Sequence, residues 1–284
     1  FTASAVDQLL EAGGLQEVDV FSLTTPESAP VQISVTMPLK THTITAPNVV
    51  ARLPGRRRDE LKDVVLTAHF DHEPPGQPNV EGDSIYNGAD DNASGTVGLL
   101  EVARAFAALP TPPARSVVFA AVSGEEIGLL GSRHLAQVGP ASAEATAANL
   151  NMDMLSRNAP DSLLVFGQTY SSLGDLFREI LDAHPELGLN VRPGLQMPRF
   201  DLIRMGDQAS YLERGVPVLV FNSGMHPELH TPDDEIELAD VDKLARAARL
   251  VFLVAHAVAD DPRDPVFTAA GRARAEGMER MRLR

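Results

Sequence analysis

Residues 63–72 read Asp63-Val64-Val65-Leu66-Thr67-Ala68-His69-Phe70-Asp71-His72, a nearly unbroken apolar run that ends in two imidazoles and a carboxylate. A short apolar run without alternation marks a strand covered on both faces, as in the interior of a largely parallel sheet. Runs of the same kind recur at 48–53, 116–122, 149–154, 163–166 and 217–221. Between them the apolar residues follow the helical period. Leu99, Val102, Ala103 and Phe106 form one stripe, and Leu173, Leu176, Phe177, Ile180 and Leu181 a second, with Ser171 or Ser172 as N-cap. Leu244, Ala248, Val251 and Ala255 form a third, opening near Asp240. Strand and helix alternating over about 200 residues predict a layered α/β domain. Outside that span, 6–12 reads as a helix ended by Gly13-Gly14 and 31–37 as a strand. Residues 263–284 read as a charged tail rich in Arg and Glu, a surface helix or a frayed end.

Composition narrows the chemistry. Thirty-nine Asp and Glu stand against 24 Lys and Arg, a formal net charge of −15. Such a chain lacks the basic face that phosphates or an anionic bilayer require, so neither a nucleic acid nor a membrane is expected as partner. With no Cys there can be no disulfide, thiolate zinc site, iron–sulfur cluster or thiol nucleophile. The longest apolar stretches, such as 117–122 and 250–255, fall far short of the ~20 residues of a bilayer span, so a soluble chain is expected. The sequence opens at Phe1 without Met or an apolar leader, and we expect any export signal to have been removed or never to have existed.

Polar, metal-capable residues gather just beyond the apolar runs. Ala68 leads into His69, Asp71 and His72; Val122 leads into Ser123-Gly124-Glu125-Glu126; Asp153 lies in the run at 149–154; His226 and His230 follow Phe221 within ten residues. Ligand crevices of open parallel sheets form at these carboxyl ends. Asn87-Gly88-Ala89-Asp90-Asp91-Asn92-Ala93-Ser94-Gly95 precedes the Leu99 helix, either as a plain turn with a helix cap or as a carboxylate aimed into the crevice. If these segments converge, Asp71, Asp90, Asp91, Glu125, Glu126 and Asp153 meet, and like charges at that range raise one another's pKa and oppose folding. Divalent cations remove the conflict. Imidazole and carboxylate without sulfur favour zinc, with cobalt or manganese as substitutes, and two ions sharing a carboxylate account for so many acids better than one. No Gly-x-Ser-x-Gly elbow and no phosphate-binding loop competes. His226-Pro227-Glu228-Leu229-His230 imitates a His-Glu-x-x-His helix, but Glu stands one place late and Pro227 and Pro232 spoil a helix there.

Together, Ala68-His69-x-Asp71-His72, 87–95, Ser123-Gly-Glu-Glu-x-Gly-Leu-Leu-Gly-Ser132, Asn151-Met-Asp153 and His226-x3-His230-Thr-x2-Asp234 resemble the di-zinc exopeptidases. That family holds the secreted bacterial leucyl aminopeptidases, aminopeptidase Y, glutamate carboxypeptidases and glutaminyl cyclases. The likeness runs over 48–260 and implies a three-layer α/β sandwich around a mixed, mostly parallel sheet. It implies a catalytic domain over 46–262, preceded by a segment 1–45 packed on it and followed by the tail 263–284. One Zn2+ is expected at His69, Asp91 and Asp153, a second at Glu126 and His230, with Asp91 shared. Glu125 is the expected general base, acting on a water between the two metals. Asp71, two residues beyond His69 on extended chain, is expected to orient that imidazole. Asp234 is expected to support His230, Asp90 to hold its turn, and a cis peptide to follow Asp91.

What the resemblance implies is an aminopeptidase acting on peptides with a free N-terminus, secreted or periplasmic. Two branches of the fold are weighed against it: a carboxypeptidase, which needs cations such as Arg199 and Arg204 to grip a terminal carboxylate, and a glutaminyl cyclase, disfavoured by the absence of Trp. A metal-free, non-catalytic scaffold is a reading from another class, opposed by the completeness of the ligand set. One departure stands out. Many of these peptidases carry Tyr before the last histidine ligand, where this chain has Leu229, so oxyanion stabilisation would fall to zinc or to another donor such as Tyr211.

Overall fold

The computed structural model describes residues 43–194 and 202–282. The expected helix at 6–12, the strand at 31–37 and Arg199 lie outside these, as does nearly all of the segment 1–45. The apolar runs form strands β1 (Val49–Leu53), β2 (Asp63–His69), β3 (Val117–Val122), β4 (Thr146–Met152), β5 (Ser162–Phe166) and β7 (Val218–Asn222). A further strand, β6 (Asn190–Pro193), completes one sheet in the order β1-β3-β2-β4-β7-β5-β6. Its centre, β3-β2-β4-β7, is parallel throughout; β1 joins β3 and β5 joins β7 antiparallel. The sheet is therefore mixed and mostly parallel, as the run type predicts.

Alternation along each central strand sends neighbouring side chains to opposite faces. Val64, Leu66 and Ala68 of β2 join Val117, Phe119, Leu150 and Phe221 in the core of one face. Helices α1 (Gly95–Ala107), α3 (Leu173–Ala183) and α4 (Val241–Asp260) cover it through Phe106, Phe177 and Val251. On the other face Val65, Val118, Val122 and Val220 pack beneath α2 (Leu130–Gln137) and Tyr211. Asp240 caps α4 by accepting the Lys243 amide at 2.8 Å, a contact worth about 1 kcal/mol.

One expectation needs correction. The run at 48–53 is not covered on both faces: β1 is an edge strand with Val49 62% exposed. Arg52 on this edge pairs with Asp63 at 2.8 Å, and a charge there discourages pairing with another sheet. Of the two readings of the tail, the surface helix is the one found, and it is anchored. Ser172 donates its amide to the Val266 carbonyl, Thr268 to that of Tyr170, and helix α5 (Ala269–Arg282) buries Ala275 and Met278 in the second core.

Candidate metal centre

The four parallel strands deliver the polar residues to one end of the sheet. His69 is the last residue of β2, Asp153 the first beyond β4, and Glu125 and Glu126 lie in the turn after β3. The chain leaves β2 toward β3 on one side and returns to β4 on the other, so the switch point where crevices open lies between His69 and Asp153.

Asp91 stands in the middle. Its Oδ1 lies 3.3 Å from His69 Nε2 and its Oδ2 3.0 Å from His230 Nε2. Asp153 Oδ1 lies 3.5 Å from His69 Nε2, and Glu126 Oε2 3.4 Å from His230 Nε2. Four ligands on a tetrahedral ion with bonds of about 2.0–2.1 Å sit roughly 3.3 Å apart, so each separation matches two ligands of one ion. Asp153 Oδ1 is buried without a hydrogen-bond partner, as a ligand atom would be. The donor set is nitrogen and oxygen only, which suits zinc.

Imidazole orientation supports the same arrangement. His69 Nδ1 faces the Asp71 carbonyl at 3.1 Å and His230 Nδ1 faces Glu73 Oε1 at 3.2 Å. A proton donated there leaves each Nε2 lone pair directed inward. His230 reaches its place with φ +55° and Met154, beside Asp153, with φ +60°, backbone angles uncommon outside glycine and frequent at working sites. The carboxylates, Asp91 first, hold the His230 pKa up at about 9, and the field that favours a proton there favours a dication. Burial, followed by the nearby acids, pushes Glu125 up to about 9.

Several expected contacts fall elsewhere. The Asp71 carboxylate is 3.9 Å from His69 Nδ1; it accepts the backbone amides of Glu125 at 3.2 Å and Glu126 at 3.4 Å. Asp71 thus orients His69 through its carbonyl and the two glutamates through its side chain. Asp234 does not reach His230 by any hydrogen bond among the described residues. Fully buried, it accepts the amides of Asp90 at 3.0 Å and Asp91 at 3.0 Å. Asp90 does hold the turn, accepting the Ser156 amide at 2.7 Å and the Ser94 hydroxyl at 3.0 Å. His226 lies 3.2 Å from Glu228, and His72 pairs with Glu126 at 2.8 Å. Glu73 escaped the sequence reading, for it sits in a proline-rich loop where no motif flags it. The Asp91–Asn92 peptide is cis.

Tyr211 is not an available oxyanion donor: it is fully buried and donates to the Ala141 carbonyl at 3.0 Å. Leu229 does line the cavity in front of the cluster, a space of about 550 Å³ shared with His69, Glu125 and Asp153. That is the size of a small-ligand pocket.

A family model described as "Peptidase family M28" matches residues 48–255, most of the chain. The chain belongs to peptidase family M28. Among curated relatives, a "Probable zinc metalloprotease" of Pyrenophora teres f. teres is 27% identical over 264 residues, covering 78% of this chain and 53% of that protein. "Aminopeptidase YwaD" of Bacillus subtilis is 26% identical over 252 residues, covering 84% and 49%. The chain thus spans about half the length of the curated relatives it matches. Among solved structures, "BSAP, a zinc aminopeptidase from Bacillus subtilis" superposes with a TM-score of 0.62 at 23% identity, over 78% of this chain and 52% of that one. The seven-stranded sheet described above is the M28 fold, and no described helix is long and apolar enough to cross a membrane.

Proposed function

We propose that this M28 chain is a zinc-dependent aminopeptidase holding two Zn2+, one at His69, Asp91 and Asp153 and one at Glu126, His230 and the shared Asp91. The observation that carries this reading is Asp91, whose two oxygens face two different imidazoles at 3.3 and 3.0 Å. Zinc bound there would supply Lewis acidity, polarising the scissile carbonyl and lowering the pKa of water toward neutrality.

Glu125 faces the cavity without a side-chain hydrogen bond among the described residues, so its carboxylate is free to take a proton from the attacking water. Asp71 fixes the turn carrying Glu125 and Glu126 through their amides. Around them, Met154, Phe166, Met205 and Met225 give the cavity an apolar, adaptable wall suited to an apolar substrate side chain. The acids near the centre favour the α-amine of a peptide. Arg204 on the same cavity keeps a carboxypeptidase as the second reading.

Amino-acid amides, free peptides and N-blocked peptides separate the two, since cleavage confined to free amines marks an aminopeptidase. E125Q is expected to retain zinc and lose at least about 100-fold in kcat. A fully active E125Q, or a purified protein that takes up no zinc, would overturn the reading.

A further inference from the structure

Two cations line the cavity of the metal centre, Arg133 at the start of α2 and Arg204 in the helical turn Leu202–Met205. Neither forms an ion pair or a side-chain hydrogen bond among the described residues. They also share an adjoining cavity, whose Glu213 is engaged by Arg214. Other donors on the main cavity are committed. Gln208 donates to the Leu202 carbonyl at 2.9 Å and accepts from Asn151 at 2.8 Å, while Asn222 donates to the Asp153 carbonyl at 2.7 Å.

Charge gives the pair its meaning. If two zinc ions bind as proposed above, Asp91, Glu125, Glu126 and Asp153 balance them, and the two guanidiniums become the excess charge of the cavity. The surrounding wall is apolar, which strengthens their field. A guanidinium pairs best with a planar carboxylate, through two parallel hydrogen bonds.

We propose that Arg133 and Arg204 form a carboxylate subsite, so that preferred substrates present an acid close to the cleaved bond. This rests on the peptidase reading for its substrate class. The acid has two sources of the same chemistry, the terminal carboxylate of a very short peptide or the side chain of a Glu or Asp residue.

The test is peptide binding by calorimetry to zinc-loaded E125Q, with Leu-Leu against Leu-Leu-amide and Leu-Glu-amide against Leu-Gln-amide. At low salt the acid of at least one pair is expected to bind about tenfold tighter, the scale of one charge-assisted contact. The pair that responds identifies the source. Adding R133Q and R204Q together brings the ratio to about one, and high salt reduces it because both side chains are exposed. Equal binding within each pair, or a preference that survives both substitutions, overturns the subsite. Wild-type turnover of the same peptides separates the two ideas. Preferential binding without hydrolysis by the zinc-loaded enzyme removes the peptidase and keeps the subsite; hydrolysis without preferential binding does the reverse.

Discussion

Four residues after His230, Asp234 lies fully buried and spends its carboxylate on the amides of Asp90 and Asp91. It ties the loop of one histidine to the backbone of the acid between both histidines. An Asn side chain has one acceptor oxygen and turns an N–H toward a backbone donor, so D234N should loosen Asp91 without removing any ligand. Zinc affinity, followed by chelator competition, is expected to fall about 10–100-fold; unchanged affinity would show that Asp91 is held by other means. Tyr211→Phe makes the contrasting case. Losing the bond to Ala141 should cost about 1 kcal/mol in denaturant unfolding and leave kcat unaltered; a large loss of kcat would return Tyr211 to the chemistry. The metal-capable side chains were legible because their types and spacings are unusual in series. Their supports were not, because a carboxylate that serves backbone amides, as Asp71 and Asp234 do, leaves no mark on the side-chain pattern.

Among the elements, α2 depends on a close approach that only glycine permits. A Cβ on Gly131 would lie 2.2 Å from the Ser123 carbonyl oxygen and 2.4 Å from Asn48 Oδ1. Both belong to backbone or anchored groups, Asn48 donating to the Gly131 carbonyl at 2.9 Å. G131A must therefore push α2 off the end of β3, whose next residues carry Glu125 and Glu126. We expect a loss of about 1–3 kcal/mol in urea unfolding together with reduced activity, and wild-type stability would contradict this contact. The sequence resolves elements unequally for physical reasons. Central strands announce themselves by continuous apolar runs because both faces are covered. The run in β1 looks the same, yet its position at an edge is decided by pairing with β3. β6 has one apolar aliphatic residue, Val191, in Asn190-Val191-Arg192-Pro193 and gives no period to detect. In α5 a short stripe through Ala275 and Met278 does the packing, hidden among Arg and Glu.

For the whole molecule, gathering acids around two imidazoles makes stability depend on pH in a direction that zinc should cancel. Without metal, burial holds Glu125 at about 9 and Asp207 at about 6, against ordinary values of 4.5 and 3.8. Asp91 above all holds His230 at about 9, and neighbouring carboxylates raise His69 and His72 against the burial that opposes them. Each of these groups binds its proton more tightly folded than unfolded. Unfolding therefore releases protons, and stability must fall as pH rises across the interval between the unfolded and folded values. For the two acids the penalty grows from about pH 4 upward; for the histidines the benefit present below about pH 6.5 drains away toward pH 9. Lys243, lowered by burial, acts in the opposite sense, but from an ordinary value of 10.5 its effect belongs to the alkaline end. Protein stripped with EDTA should thus melt progressively lower from pH 5 to pH 8. Zinc-loaded protein should hold its melting temperature over the same range, because dications offset the carboxylates and bind more tightly as protons leave the histidines. The gap between the two curves should widen with pH. A metal-free melting temperature that stays level or climbs from pH 5 to pH 8 would mean that these groups do not share one buried cluster, and that the convergence around Asp91 is not what shapes the fold's electrostatics.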